Sequence, residues 1–201
     1  ENEQRRRETL RKLAAQEAQL QLLLSELERS RSQAEAAEKT VEDLQSLLSK
    51  GQSVARALQF DEATTRERMV DSQLIDAGWD VGPNGTSTEE VTQELPLPAE
   101  GKTEYADYVL FGDDGKPLAV VEVKRTIKSP ESGRKQAELY ANSLQTKHGQ
   151  RPVIFYTNGF EIYIWNDSIN DTPRKIYGFY SKDSLQYLVF QRNNRKNLNE
   201  L

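Results

Sequence analysis

The sequence predicts an α/β protein: a mixed sheet flanked by helices over residues 61–190, preceded by a long N-terminal coiled-coil helix over residues 1–50 and a connector at 51–60. Three observations predict it. Residues 1–50 contain neither Gly nor Pro and are dominated by Ala, Leu, Glu, Gln, Arg and Lys, a helix-forming composition. Residues 105–125 hold two apolar runs separated by Gly112-Asp113-Asp114-Gly115-Lys116-Pro117, which is dense in hairpin-turn residues. A helical segment beginning at Ser129-Pro130 then separates the second run from a third at 152–157, the order of a strand, helix, strand crossover.

Within the arm, Leu10, Leu13, Leu20, Leu24 and Leu27 follow a 3-4 spacing with Glu17 and Arg31 in the seam. Ala34, Ala37, Val41, Leu44 and Leu48 resume it with a shifted phase. Unbroken, the arm would reach roughly 75 Å. A stripe of that length needs a partner helix, in this or another chain, more than it needs its own domain.

After a break at Gly51-Gln52-Ser53, Thr64-Thr65-Arg66-Glu67 has the spacing of a capping box, and Met69, Val70, Leu74 and Ala77 form an apolar face that stops at Gly78. Trp79-Asp80-Val81 is expected to enter a strand, and 82–100 to be mostly loop, with a brief strand at 91–95. Gly101-Lys102-Thr103 has the tail of a phosphate-binding P-loop, but position 96 is Pro where the motif needs Gly and a strand follows, so no nucleotide site is expected. The Ser129-Pro130 helix should close at Gly149. Asn158-Gly159 should turn strand 152–157 into strand 160–165. An edge strand is expected at 175–180 and a short helix at 182–190.

Composition narrows the function. With no cysteine and a single histidine, His148, thiolate and histidine-cluster metal sites are excluded, and the lack of cysteine fits a reducing cytoplasm. No run of 18 apolar residues points to a membrane. A net charge of −5 argues against coating nucleic acid nonspecifically, so any DNA contact must be local. Lys124, Arg125, Lys128, Arg134 and Lys135 form one basic segment, and Arg192, Arg195 and Lys196 another.

Within Val120-Val121-Glu122-Val123-Lys124-Arg125, strand periodicity places Glu122 and Lys124 on one face and Val121 and Val123 on the other. Burying two charges in an apolar strand costs several kcal/mol per ion unless they are paired or bound to a metal. The hairpin returns Asp107, in the run Tyr105-Ala106-Asp107-Tyr108-Val109-Leu110-Phe111, beside them. Two carboxylates offer the hard oxygen ligands that Mg²⁺ accepts. The lysine could orient or deprotonate a water, though its anionic neighbours oppose deprotonation. The plain alternative is an exposed ion pair near a strand end with Asp107 as an ordinary acid. On the following helix Gln136 and Tyr140 stand one turn apart on one face, facing the site or simply packed on the sheet.

The ordered set of acid, hairpin, Glu-x-Lys strand and Gln-x-x-x-Tyr helix resembles the RecB-like branch of the PD-(D/E)xK nuclease superfamily, with Ala106-Asp107 in place of Pro-Asp. That resemblance implies that Asp107 and Glu122 bind Mg²⁺, that Lys124 serves the attacking water, and that Gln136 and Tyr140 position DNA phosphate or support the metal shell. A narrower resemblance runs through Thr65-Arg66, Asp76-Ala77-Gly78-Trp79, Ala106 to Phe111, Pro117 to Arg125 and Tyr156-Thr157-Asn158-Gly159. These segments are similar to the N-terminal endonuclease domain of the restriction (R) subunit of type I restriction-modification enzymes. It implies Mg²⁺-dependent cleavage of double-stranded DNA without sequence specificity of its own, in a cytoplasmic complex with modification and specificity subunits. It also implies an ATP-driven helicase motor beyond a linker at 191–201, and Glu67 as an auxiliary acid, a role that competes with its place in the capping box. A first residue of Glu is expected of a fragment. Two alternatives stand beside this reading: another PD-(D/E)xK repair nuclease or junction resolvase, and a non-catalytic coiled-coil assembly module.

Overall fold

The computed structural model describes residues 65–99, 101–125, 128–169 and 171–194, with isolated helical positions at 18, 19, 21–23, 25, 26, 29, 46, 49 and 50. The apolar stripe expected of the arm, the connector 51–60 and the linker beyond residue 194 lie outside the described residues.

Helix α1 is a π-helical turn, Arg66–Val70, running into an α-helix, Asp71–Asp76. Its Met69, Val70 and Leu74 are buried, as their spacing requires. The helix ends in a Schellman arrangement in which Gly78 N–H donates to Ile75 O at 2.9 Å and Trp79 N–H to Leu74 O at 3.0 Å. Gly78 adopts φ +89°, where a side chain would be strained. Trp79 is thus spent on the helix end and, through Nε1, on Tyr180 O at 2.9 Å, so Trp79-Asp80-Val81 does not enter a strand.

Six strands follow in chain order across one sheet: β1 (Val91–Ala99), β2 (Lys102–Phe111), β3 (Pro117–Val123), β4 (Val153–Thr157), β5 (Ile162–Trp165) and β6 (Arg174–Ile176). Neighbours are antiparallel except β3 and β4, which are parallel and joined through a 3₁₀ turn, Pro130–Gly133, and helix α2, Arg134–His148. Strand β1 is longer than expected, and Pro96 and Pro98 are tolerated in it because it lies at the sheet edge, where two missing amides cost no ladder bond. Gly101, at φ +81°, turns β1 into β2, and Lys102 and Thr103 open a strand rather than a phosphate-holding helix. Asn158 tightens the β4–β5 turn by accepting the N–H groups of Phe160 and Glu161 on Oδ1, which keeps Phe160 out of β5. Strand β6 is only three residues, and helix α3, Lys182–Asn193, runs through 191–193, which the sequence assigned to a linker.

The sheet separates two cores. One holds Val70, Leu74, Trp79, Val121, Val123, Phe155, Phe179 and Leu185 beneath α1 and α3; the other holds Val120, Ala137, Tyr140, Ala141, Leu144, Ile154 and Tyr156 beneath α2. Strict alternation would keep Ala106 on the face of Tyr108, and Leu95 on the face of Val91. Instead Val91 and Tyr108 belong to the first core and Leu95 and Ala106 to the second. The exchange happens at Glu94, whose backbone is left-handed (φ +50°), standing with Asp107 between the paired rows Gln93–Tyr108 and Leu95–Ala106.

Phe155 is fully buried at the centre of the first core, edge-on to Phe179 at 5.3 Å. Phe155→Ala is expected to cost about 3–5 kcal/mol, measured by chemical denaturation.

Candidate active site

The site is built where β2 parts from β3. The β2–β3 ladder runs from Phe111 to Tyr108, which pairs with Val121. The next amide on β3, Val123 N–H, is taken by the Asp107 side chain, which accepts it on Oδ2 at 2.7 Å. Asp107 is therefore anchored to the residue that follows Glu122.

Glu122 is 2 % exposed and faces the second core beside Val120, opposite Tyr156 on β4. Lys124, just past the strand end, donates from Nζ to Glu122 Oε1 at 2.5 Å and to Gln136 Oε1 at 2.9 Å. Gln136 donates from Nε2 to Tyr140 Oη at 2.5 Å, and Tyr140 Oη points back to Glu104 Oε2 on β2 at 3.4 Å. The spacing of Gln136 and Tyr140, one turn apart, is what lets both join this chain. Gln136 thus faces the lysine, while Tyr140 is both bonded to Gln136 and buried in the second core on the sheet.

Close approach of α2 depends on Gly133. A Cβ there would stand 2.9 Å from Glu122 Cγ and 3.2 Å from Lys124 Cε. The side chain of Glu67 lies outside the described residues, although its backbone sits in the π-helical turn of α1.

Several partners were not evident from spacing. Arg66 Nη1 lies 3.3 Å from Asp107 Oδ1 and 2.8 Å from Glu94 Oε1. Tyr156 donates to Glu131 Oε1 at 2.6 Å and stacks on Tyr163 at 5.2 Å, and Arg134 lies over the Trp165 ring at 5.2 Å. The basic residues Arg125, Lys128, Arg134 and Lys135 are exposed on this side. Arg192 is instead committed to the fold, donating to Arg151 O at 2.6 Å and Ser168 Oγ at 3.0 Å; Arg195 and Lys196 lie outside the described residues.

Asp107 and Glu122 supply hard oxygen donors of the kind magnesium takes. Among the described residues no group of three or more Asp, Glu, His or Cys side chains is arranged to hold a metal. A cation held by these two carboxylates alone would need water for the rest of its oxygen shell, which magnesium accepts. No helix among the described residues is long and apolar enough to cross a membrane.

The model of the family described as "Type I restriction enzyme R protein N terminus" matches residues 1–172 of this sequence. The chain belongs to that family. No curated protein sequence matches it. A solved structure described as a fragment of an HsdR subunit of a type I restriction enzyme from Vibrio vulnificus YJ016 is similar in fold, with a TM-score of 0.55 at 24 % identity. The match covers 70 % of this chain and 27 % of that one, so it spans about a quarter of that fragment's length.

Two expectations for this R-protein N-terminal domain come from the packing around its acids. Gly133→Ala should lower stability by about 1–3 kcal/mol through overpacking, while Gly178→Ala, where a Cβ meets nothing within 4 Å, serves as its control in thermal denaturation.

Burial raises the phenol pKa values of Tyr108, Tyr140 and Tyr156; the carboxylates of Asp71 and Glu131 add to this at Tyr108 and Tyr156. At Tyr140 the hydrogen bond from Gln136 partly opposes the rise. Folded values above the unfolded value of about 10 mean a stabilising contribution that is complete below that pH and lost as pH rises beyond it. Absorbance titration should show these three phenols silent until alkaline unfolding exposes them.

Proposed function

We propose that this domain is the endonuclease module of a type I restriction complex, cleaving phosphodiester bonds of double-stranded DNA with Mg²⁺ and without sequence specificity of its own. The observation that supports the reading is Asp107 accepting the amide next to Glu122, whose own carboxylate accepts from Lys124. Family membership supports a restriction role and weighs against a junction resolvase or repair nuclease.

In this reading Asp107 and Glu122 would hold the metal, which would supply positive charge against the negative charge building on the phosphoryl oxygens and make the attacking water more acidic. Water oxygen attacks phosphorus as its proton passes to solvent, and the P–O bond to the leaving oxygen breaks with its electron pair, that oxygen taking a proton back from solvent. Lys124, as an ammonium, orients that water and the phosphate oxygen it approaches. Gln136 holds Lys124 by its amide oxygen, and Tyr140 fixes the Gln136 amide so that the oxygen, not the NH₂, faces the lysine. Exposed Arg125, Lys128 and Lys135 supply local positive charge for the DNA backbone despite the acidic whole. Sequence recognition belongs to the specificity subunit, methylation to the modification subunit, and ATP to a helicase motor outside this sequence.

The test uses full-length R subunit assembled with its modification and specificity subunits, ATP and Mg²⁺, on supercoiled plasmid bearing a target. Lys124→Ala is expected to reduce cleavage by about 10²-fold or more while ATP hydrolysis continues. Cleavage at the wild-type rate would refute the assignment and favour a non-catalytic assembly module.

A further inference from the structure

Arg66 is the one described cation that touches both Asp107 and a second acid. Its Nη1 is 2.8 Å from Glu94 Oε1 and 3.3 Å from Asp107 Oδ1, and its side chain is 22 % exposed. Asp107 meanwhile spends Oδ2 on Val123 N–H, so Oδ1 is the oxygen that faces the guanidinium. The three groups are held by three elements. Arg66 begins α1, which is pinned to the sheet by buried Val70 and Leu74 and by Gln73 Nε2 donating to Gly159 O at 2.7 Å. Glu94 is on β1 and Asp107 on β2, at the point where both strands exchange faces.

The backbone of Glu94 makes this arrangement a specific one. A left-handed conformation at a non-glycine residue in a strand is unfavourable and persists where surrounding contacts hold it. Here it turns the Glu94 carboxylate toward Arg66, although that side chain is otherwise 61 % exposed.

A guanidinium on Oδ1 opposes any further cation there by Coulomb repulsion and by occupying a lone pair, and an acid that shares the guanidinium reduces both effects. We propose that Arg66 is a positioning residue that sets how strongly Asp107 takes a divalent cation, with Glu94 as the counter-anion that draws Arg66 away from it. The proposal rests on the reading of Asp107 as a metal ligand given above. Arg66 touches neither metal nor substrate in this scheme. It orients Asp107 and tunes its charge, and Glu94 acts through Arg66.

The two residues then carry opposite signs, which a purely structural role would not give. Equilibrium binding of Mn²⁺ to the 201-residue chain, by calorimetry or by the electron paramagnetic resonance of free Mn²⁺, reads this without any cleavage assay. Arg66→Ala is expected to tighten Mn²⁺ binding by roughly five-fold. Arg66→Lys, which keeps the charge, should stay near wild type. Glu94→Gln, at an exposed side chain that the fold can spare, should weaken binding by a similar factor as Arg66 turns fully to Asp107. Asp107→Asn should abolish it.

Unmoved affinities in the Arg66→Ala and Glu94→Gln variants, or a loss in both that follows their thermal midpoints, would overturn the role of Arg66 while Asp107→Asn still abolishes binding. Binding that survives Asp107→Asn, or a wild-type chain that takes up no Mn²⁺, would overturn the metal reading itself and this proposal with it. Should Arg66→Ala fail to fold, the shift in Glu94→Gln alone decides.

Discussion

One side-chain hydrogen bond governs the geometry of this domain. Where β2 diverges from β3, the amide of Val123 would lose its ladder partner inside a buried strand, and an unsatisfied buried amide is costly. Asp107 supplies the acceptor. A carboxylate thereby becomes part of the sheet's own bonding, and its position is fixed by backbone rather than by a flexible side-chain contact. Glu122 precedes that amide on the same strand, and its lysine and the start of α2 are packed against it. The close fit of Gly133 against Glu122 and Lys124 is what lets α2 come near enough to deliver Gln136 and Tyr140.

Charge compensation is distributed rather than pairwise. Glu122 is answered by Lys124, Asp107 by a backbone amide and Arg66, and Arg66 in turn by Glu94. The outer members are the more exposed, with Glu94 largely in solvent, so the interactions weaken outward as the effective dielectric rises. Such an arrangement tolerates the burial of Glu122 without requiring every charge to find a single ideal mate.

Much of this was readable from residue patterns, and the reasons it was or was not are physical. Alternation in a buried strand put Glu122 and Lys124 on one face and a turn-rich hexapeptide returned Asp107, because both rest on local periodicity. Gln136 and Tyr140 followed from the helical repeat. Strand β1 was largely hidden, since its prolines read as loop until its edge position is known. Arg66 with Glu94, and Tyr156 with Glu131, are side-chain meetings across 28 and 25 positions of chain that no spacing rule connects. A left-handed glutamate has no sequence signature at all. Arg192 looked like part of a basic patch, but a cation at a helix end can serve backbone carbonyls as readily as phosphate, and here it does.

The exchange of faces at Glu94 and Asp107 has a consequence for cooperativity. The same hairpin gives its Val91 and Tyr108 half to one core and its Leu95 and Ala106 half to the other, so it is stitched through the sheet rather than laid on it. Asp107 sits at the stitch. A chain that has packed only one side of its sheet has not yet set that residue, and loosening either side later would release it. Assembly of the acid pair is thus a property of the completed domain, and an incompletely folded R-protein N terminus carries the residues of the site without the site.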